Sequence, residues 1–432
     1  MRMNRPTPGK GRPFRSPRKV FIRVGIVVFV LCFLHLLWPY ISNSKSFPGF
    51  IVSVTRPFWD RSPVGGWTRI EIPKLRADRG GTVPLEDEDG SLDLAFCTAF
   101  AEQLHHQRPE LAPTAEGKLR EPKRRVFDAF RFNGEFDMLA LRLHEMLPIV
   151  EKVFVFETEV SSTGKLRTPQ WWYRDEADFL AQLESRGVDI GLAKNKIVSV
   201  QFPRNLFIAA INQVINGDQW EVENHFKLLM GEALGKHGVV PGDVIMDTDC
   251  DEIPRRALVR MVAGCNIPDA AFPLNLEMDN YLYSYEFEQG IVPWIFPRIV
   301  PYLGGATFAR SRIAPITRMV VANAGWHCSW CFPRIEEFVH KLKTYVHTEL
   351  SLKQYYEIPR IKRYICTGED LFDRYPETFT VRHAIMALYL EGGRIDRHRI
   401  IEAPRLIMQK PEKFGYLLPG NCRREGPTPP PV

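Results

Sequence analysis

From residue 125 to residue 246, short apolar runs alternate with stretches of helical period, and that alternation leaves few folds open. Residues 125–130 (RVFDAF) read as a strand. Residues 135–147 (EFDMLALRLHEML) place apolar side chains at 136, 139, 143 and 147, the spacing of one helix face, and Pro148 closes the helix. Residues 150–156 form a second strand that runs out at Glu157. A helix over 174–186, a strand over 196–201, helices over about 206–216 and 220–236, and a strand at 243–246 follow. Strand and helix in this order predict an α/β fold with a mostly parallel sheet covered on both faces. In such sheets the ligand lies at the carboxyl ends of the strands.

Residues 242–254 (GDVIMDTDCDEIP) sit where that rule points. The apolar Val244, Ile245 and Met246 run straight into Asp247, Asp249, Asp251 and Glu252. Alternate positions at a strand end set carboxylates on one side, about 6–7 Å apart. Like charges that close call for a cation. Hard oxygen ligands suit Mn²⁺ or Mg²⁺, with a nucleoside diphosphate completing the shell. A solvated acidic turn and a calcium or phosphatase-type site are the other readings. A phosphatase would need a nucleophilic Asp near the first strand, a role into which only Asp128 could be forced.

Charge is concentrated at the start of the chain. The whole chain carries +6, while Arg2, Arg5, Lys10, Arg12, Arg15, Arg18, Lys19 and Arg23 supply +8 with no acid among them, leaving −2 for the remaining residues. Directly behind them, residues 24–38 (VGIVVFVLCFLHLLW) are apolar apart from His35. Counted on to Ile41 the run has 18 residues, about 27 Å as a helix. The run predicts a single transmembrane signal anchor at 24–41, with the basic tail, 1–23, held in the cytosol. A cleaved signal peptide is the alternative, but SNSKSF offers no small-x-small site. The basic tail is therefore read as an orientation signal, and no nucleic-acid partner is expected. Residues 42–122 read as a stem, 123–418 as the catalytic domain and 419–432 as a Pro-rich tail. One long apolar run excludes a polytopic membrane protein. Seven cysteines follow the anchor, an odd number, so at least one stays unpaired within the chain.

The motifs in the catalytic region occur in a recognisable order. Residues 133–145 (NGEFDMLALRLHE) come first, then 153–157 with Thr163-Gly164-Lys165, then 249–254 (DCDEIP), then 325–329 (GWHCS). Lys341, His347 and 368–372 (GEDLF) complete the series. This series resembles glycosyltransferase family 17, the bisecting-GlcNAc transferase family. The resemblance implies a GT-A-like fold, UDP-GlcNAc as donor, a mannose-containing glycan as acceptor, transfer with inversion to a β-1,4 linkage, and a single-pass type II protein with its catalytic domain in the Golgi lumen. A membrane-anchored phosphohydrolase and an inactive glycan-binding protein are the readings from other classes.

Candidate roles follow from residue type and place. Asp249 and Asp251 are expected to bind Mn²⁺ or Mg²⁺, with His327 able to complete the shell; an Asp capping the helix near Arg255 is the alternative for Asp251. Glu252 is a candidate for orienting a ligand or binding sugar hydroxyls, or for pairing with Arg255 or Arg256. Asn133, Glu135, Asp137, Glu157, Lys165, Lys227 and Trp326 are candidates for donor binding, Lys165 together with Arg167 and Trp326 as a stacking platform. Asn133 also fits a helix N-cap, and Arg142 and Glu145 a pair on one helix face. An inverting transfer needs a general base, for which Asp370, Asp279 and Glu277 are the candidates. Cys328 and Cys331 beside His327 suggest a disulfide or thiols, with zinc as the lesser reading.

Overall fold

The computed structural model describes residues 68–71, 91–111, 117–166, 176–215, 220–288, 294–308, 319–344, 352–373 and 403–424. β1 (Thr68–Glu71) and α1 (Ser91–Gln107) precede the expected alternation, to which the short α4 is an addition: β2 (Val126–Arg131), α2 (Phe136–Met146), β3 (Lys152–Thr158), α3 (Glu176–Glu184), α4 (Ile190–Lys196), β4 (Ile197–Phe202), α5 (Ile208–Ile215), α6 (Glu221–Lys236) and β5 (Val244–Asp247). Then come β6 (Glu252–Pro254), α7 (Arg256–Gly264), β7 (Leu274–Leu282), β8 (Ser284–Glu288), β9 (Arg298–Pro301), β10 (Met319–Ser329), α8 (Ile335–Thr344) and α9 (Ile358–Thr367), with α10 (Arg405–Gln409) and α11 (Pro411–Phe414) near the end.

The central strands are apolar on both sides because both faces are covered. Val126, Val153, Val155, Val244 and Met246 enter one core with Leu139, Leu143 and Met146 of α2. Their neighbours Phe127, Ala129, Phe154, Phe156 and Ile245 enter a second core with Phe226, Met230 and Leu234 of α6. Burying a side chain of this size contributes about 1.5–3 kcal/mol. β2, β3, β4 and β5 are parallel. The sheet order is β1-β10-β7-β9-β5-β2-β3-β4, with β9 antiparallel to both neighbours.

The structure differs from the expected boundaries at both ends of the body. The stem expected over 42–122 contains residues that belong to the fold. Phe96, Phe100 and Leu104 of α1 are at most 2% exposed in the main core, a Cys97–Cys265 disulfide ties α1 to the residue after α7, and β1 pairs in parallel with β10. α1 itself lies wholly within the expected stem. Beyond residue 418, Cys422 is bonded to Cys366 and Arg424 is buried with its guanidinium on the Tyr283 carbonyl. The folded body thus extends past the expected start of the tail. Among the described residues no helix is long and apolar enough to cross a membrane; the anchor expected at 24–41 and the basic tail lie outside them, as do Arg167 and His347.

β10, next to the β1 edge of the sheet, carries the 325–329 motif, and β6 pairs with it there in antiparallel register. Gly325 is what permits so close a pairing: a Cβ there would lie 2.2 Å from the Ile253 carbonyl oxygen.

Candidate active site

The turn after β5 is built around one buried guanidinium. Arg142, on α2, is 0% exposed. It grips Asp128 of β2 with two hydrogen bonds, and donates to the carbonyls of Asp249 (2.6 Å) and Glu252 (2.8 Å) and to the Thr248 hydroxyl. Its ring neighbour is Phe130, 4.3 Å away. Despite burial, Asp128 above all keeps the Arg142 pKa raised. The expected Arg142–Glu145 pair does not form; Glu145 instead binds Arg256 at 2.8 Å and the backbone N–H of Arg405. Asp128, committed to Arg142 and fully buried, cannot serve as a hydrolase nucleophile.

Glu252 locks the turn from the other side. It is fully buried, one carboxylate oxygen accepting from the Asp249 N–H at 2.6 Å and the other from Trp294 Nε1 at 2.7 Å. Buried and bonded in this way, it braces the turn. Trp294 stacks on His327 at 4.3 Å, and His327 Nδ1 meets Asn280 Oδ1 at 2.8 Å. Burial pushes the Cys250 thiol well above its usual range, with the Glu135 carboxylate adding to the effect.

With the backbone held this way, the carboxylates divide. Asp247 is buried against Arg298. Asp249 is exposed at the strand edge, and Asp251 is half-buried with Lys341 Nζ 3.5 Å from its Oδ2. Asp251 caps no helix: β6 intervenes, and the N-cap position of α7 is Arg255. A cleft beside the turn is lined by Arg131, Glu223, Lys227, Asp247, Asp249 and Phe308. It brings the expected Lys227 and Asp249 together at the carboxyl ends of β2 and β5.

Other candidates fall elsewhere. Asp137 is 3% exposed, its two oxygens taken by Arg186 (2.6 Å) and the Tyr416 hydroxyl (2.9 Å), so it anchors the C-terminal segment. The N-cap of α2 is Glu135 rather than Asn133, and the Glu135 carboxylate accepts from the Asn133 N–H. Glu157 is buried near the end of β3. Lys165 is exposed on a tight turn in which Gly164 takes φ +77°. Trp326 is not a stacking platform: it is 5% exposed in the main core, with Arg255 4.2 Å from its ring.

Asp279 is paired with that same Arg255 at 2.8 Å and keeps 31% side-chain exposure. Register puts Asp247, Arg298 and Asn275 on one face of the sheet. Alternation along β7 then puts Glu277 and Asp279 on that face, and Asn280 with His327 on the other. Asp370 is 7% exposed, between Glu369 and Leu371, which both hydrogen-bond the Tyr283 hydroxyl through their backbones. Cys328 and Cys331 form a disulfide, which removes zinc as a reading there, and Cys250 is the free, buried cysteine among the described residues.

Among the described residues no three His, Cys, Asp or Glu side chains converge as a complete cation site. The exposed Asp249 and half-buried Asp251 offer hard oxygens at one edge of the turn. That donor set fits a cation whose shell a ligand's phosphates complete. Sequence reasoning missed Arg298 and Trp294, which lie in no motif, and Asn280, whose place beside His327 depends on a register between strands far apart in sequence.

Comparison with known proteins adds an independent line. The model for glycosyltransferase family 17 matches residues 101–425. Two curated relatives, the beta-1,4-mannosyl-glycoprotein 4-beta-N-acetylglucosaminyltransferases of Rattus norvegicus and Homo sapiens, are each 24% identical over 251 residues. The match covers 51% of this chain and 43% of each relative, so the chain spans less than half the length of these curated relatives.

Proposed function

We propose that this chain, which belongs to glycosyltransferase family 17, transfers N-acetylglucosamine from UDP-GlcNAc to a mannose-containing glycan with inversion, forming a β-1,4 linkage on a GT-A-like domain. The observation that carries the proposal is the turn after β5: a family motif whose backbone is clamped by Arg142 and Glu252 while Asp249 and Asp251 remain at the edge beside a cleft.

Asp249 and Asp251 are the residues that would hold Mn²⁺ or Mg²⁺, and such a cation supplies charge neutralisation for a departing diphosphate. His327 is the further candidate ligand, its ring fixed by Asn280 and Trp294. Lys227 lines the cleft, where its ammonium would meet the donor's phosphates. Asp279 is the base for the acceptor hydroxyl: it keeps partial exposure, shares a sheet face with Asp247, and is oriented by Arg255. Glu277 shares that face, and Asp370 is buried.

The topology belongs to the same proposal: a Golgi enzyme of type II orientation, anchored in the bilayer through 24–41, with a lumenal catalytic domain. Incubation with UDP-GlcNAc, Mn²⁺ and a panel of mannose-containing glycans tests the activity. Transfer of GlcNAc is expected; glycan binding without turnover, or phosphate release from simple esters, would sink it. Within that assay Asp279→Asn should abolish turnover and leave UDP binding intact, whereas Glu277→Gln and Asp370→Asn should retain turnover.

A further inference from the structure

Lys341 places a positive charge against a carboxylate that the donor site needs. It lies in the last turn of α8, with its ammonium 3.5 Å from Asp251 Oδ2; 22% of the lysine side chain and 16% of the aspartate side chain are exposed. Trp330 and Phe332 face the same ammonium at 5.2 and 5.3 Å. α8 is seated by Phe338 and Leu342, both buried in the aromatic cluster that holds Trp330 and Phe332. The Asp251 backbone is fixed in turn, since its carbonyl accepts from the Cys328 N–H at 3.0 Å. The two partners differ in freedom: the aspartate is short and pinned, while the lysine is a compact charge on a long flexible stem. At 3.5 Å the contact is also looser than the roughly 2.7–2.9 Å of a tight charge-assisted hydrogen bond.

We propose that Lys341 is a diphosphate-binding residue that rests on Asp251 only while the site is empty. When the donor binds, the ammonium swings from Asp251 to the oxygens of the nucleoside diphosphate, and until then it competes with a divalent cation for the same carboxylate. This deepens the nucleotide-sugar reading and rests on it. Two cations on one carboxylate repel each other, and a diphosphate supplies the negative charge that accommodates both. Cation and nucleotide affinity are thereby coupled through one side chain, so that the empty site disfavours a bare cation and the loaded site retains it.

The coupling fixes opposite signs for two measurements on the full chain carrying Lys341→Met, a side chain that preserves the apolar stem against Trp330 and Phe332. With no nucleotide present, Mn²⁺ affinity read by electron paramagnetic resonance should rise, by about threefold for loss of a partly exposed ion pair. With Mn²⁺ saturating, UDP affinity read by calorimetry should fall by about 10- to 100-fold, the loss of a hydrogen bond to charge. Uridine, which has no phosphate, should bind as before. Lys341→Gln should give the same signs, which separates the effect from a packing defect in one variant. Unchanged UDP affinity, a fall in Mn²⁺ affinity, or an equal loss for uridine overturns the inference. Failure of the unaltered chain to bind UDP overturns the nucleotide-sugar reading itself, a separate outcome.

Discussion

The inner and outer surfaces of the turn after β5 use charge in opposite ways. On the inner side Arg142, Asp128 and Glu252 are fully buried and spend their polar atoms on one another and on the turn's backbone. On the outer side Asp249 is exposed, Asp251 is half-buried, and Lys227 lines a small cleft. Buried charges of this kind add little net stability compared with an apolar core, but removing one partner leaves the other stranded. The inner set therefore fixes geometry, and the outer set carries the chemistry that a fixed geometry makes possible.

Arg142→Met should break this arrangement most severely. It strands the Asp128 carboxylate and leaves two carbonyls and a hydroxyl in the turn without their donor. A loss of about 3–5 kcal/mol is expected, seen as a lower urea midpoint with an unchanged slope. A variant as stable as the parent would mean that the inner set is dispensable and the comparison false.

Gly325→Ala comes next. The new Cβ would meet a backbone oxygen, not the tip of a flexible side chain, so β6 and β10 must separate. Overpacking of this kind costs about 1–3 kcal/mol. The cost should appear in thermal unfolding together with a loss of turnover, because Glu252 and His327 face each other in the same register. Full turnover in this variant would show that the β6–β10 pairing does not position the site.

Glu252→Gln sharpens the comparison at lower cost. The amide keeps the shape but offers one acceptor to two donors, the Asp249 N–H and Trp294 Nε1. One donor stays unmet, at about 1–3 kcal/mol. If Glu252 only shapes the turn, turnover should fall no further than the turn's disorder explains, and crystals of the variant should show Asp249 displaced. Intact geometry with abolished turnover would return Glu252 to the outer set.

The central part of the fold was legible because periodicity is a local property: apart from the short α4, which the sequence did not announce, strands and helices from 125 to 246 fall within a few residues of their expected bounds. The acidic turn was legible for the same reason, an apolar strand running into alternating aspartates. What stayed hidden depends on contacts distant in sequence. Nothing local marks α1 as part of the body, since its apolar face has meaning only against α7 and β1, and the Cys97–Cys265 pairing spans 168 positions. Trp326 and Glu252 both sit in motifs and both read as ligand contacts, yet burial makes one a core side chain and the other a brace. A motif marks a place that the fold must hold in shape, and several of its residues do the holding.

Asp249→Asn is the smallest of these perturbations to the fold. The side chain is exposed, and the turn's links to Arg142 and Glu252 run through the Asp249 carbonyl and N–H, which the substitution leaves alone. Stability should therefore change by no more than about 0.5 kcal/mol. Turnover should nevertheless fall by about a hundredfold or more if this carboxylate helps to hold the cation, an effect of about 2.7 kcal/mol or more on the barrier. Thermal unfolding and transfer rates measured on one preparation separate the two quantities. A stable and fully active variant would place the chemistry on another carboxylate of the turn. An unstable variant would show that Asp249 belongs with Arg142 and Glu252, and that the boundary between bracing and reacting charges runs further out than Asp249.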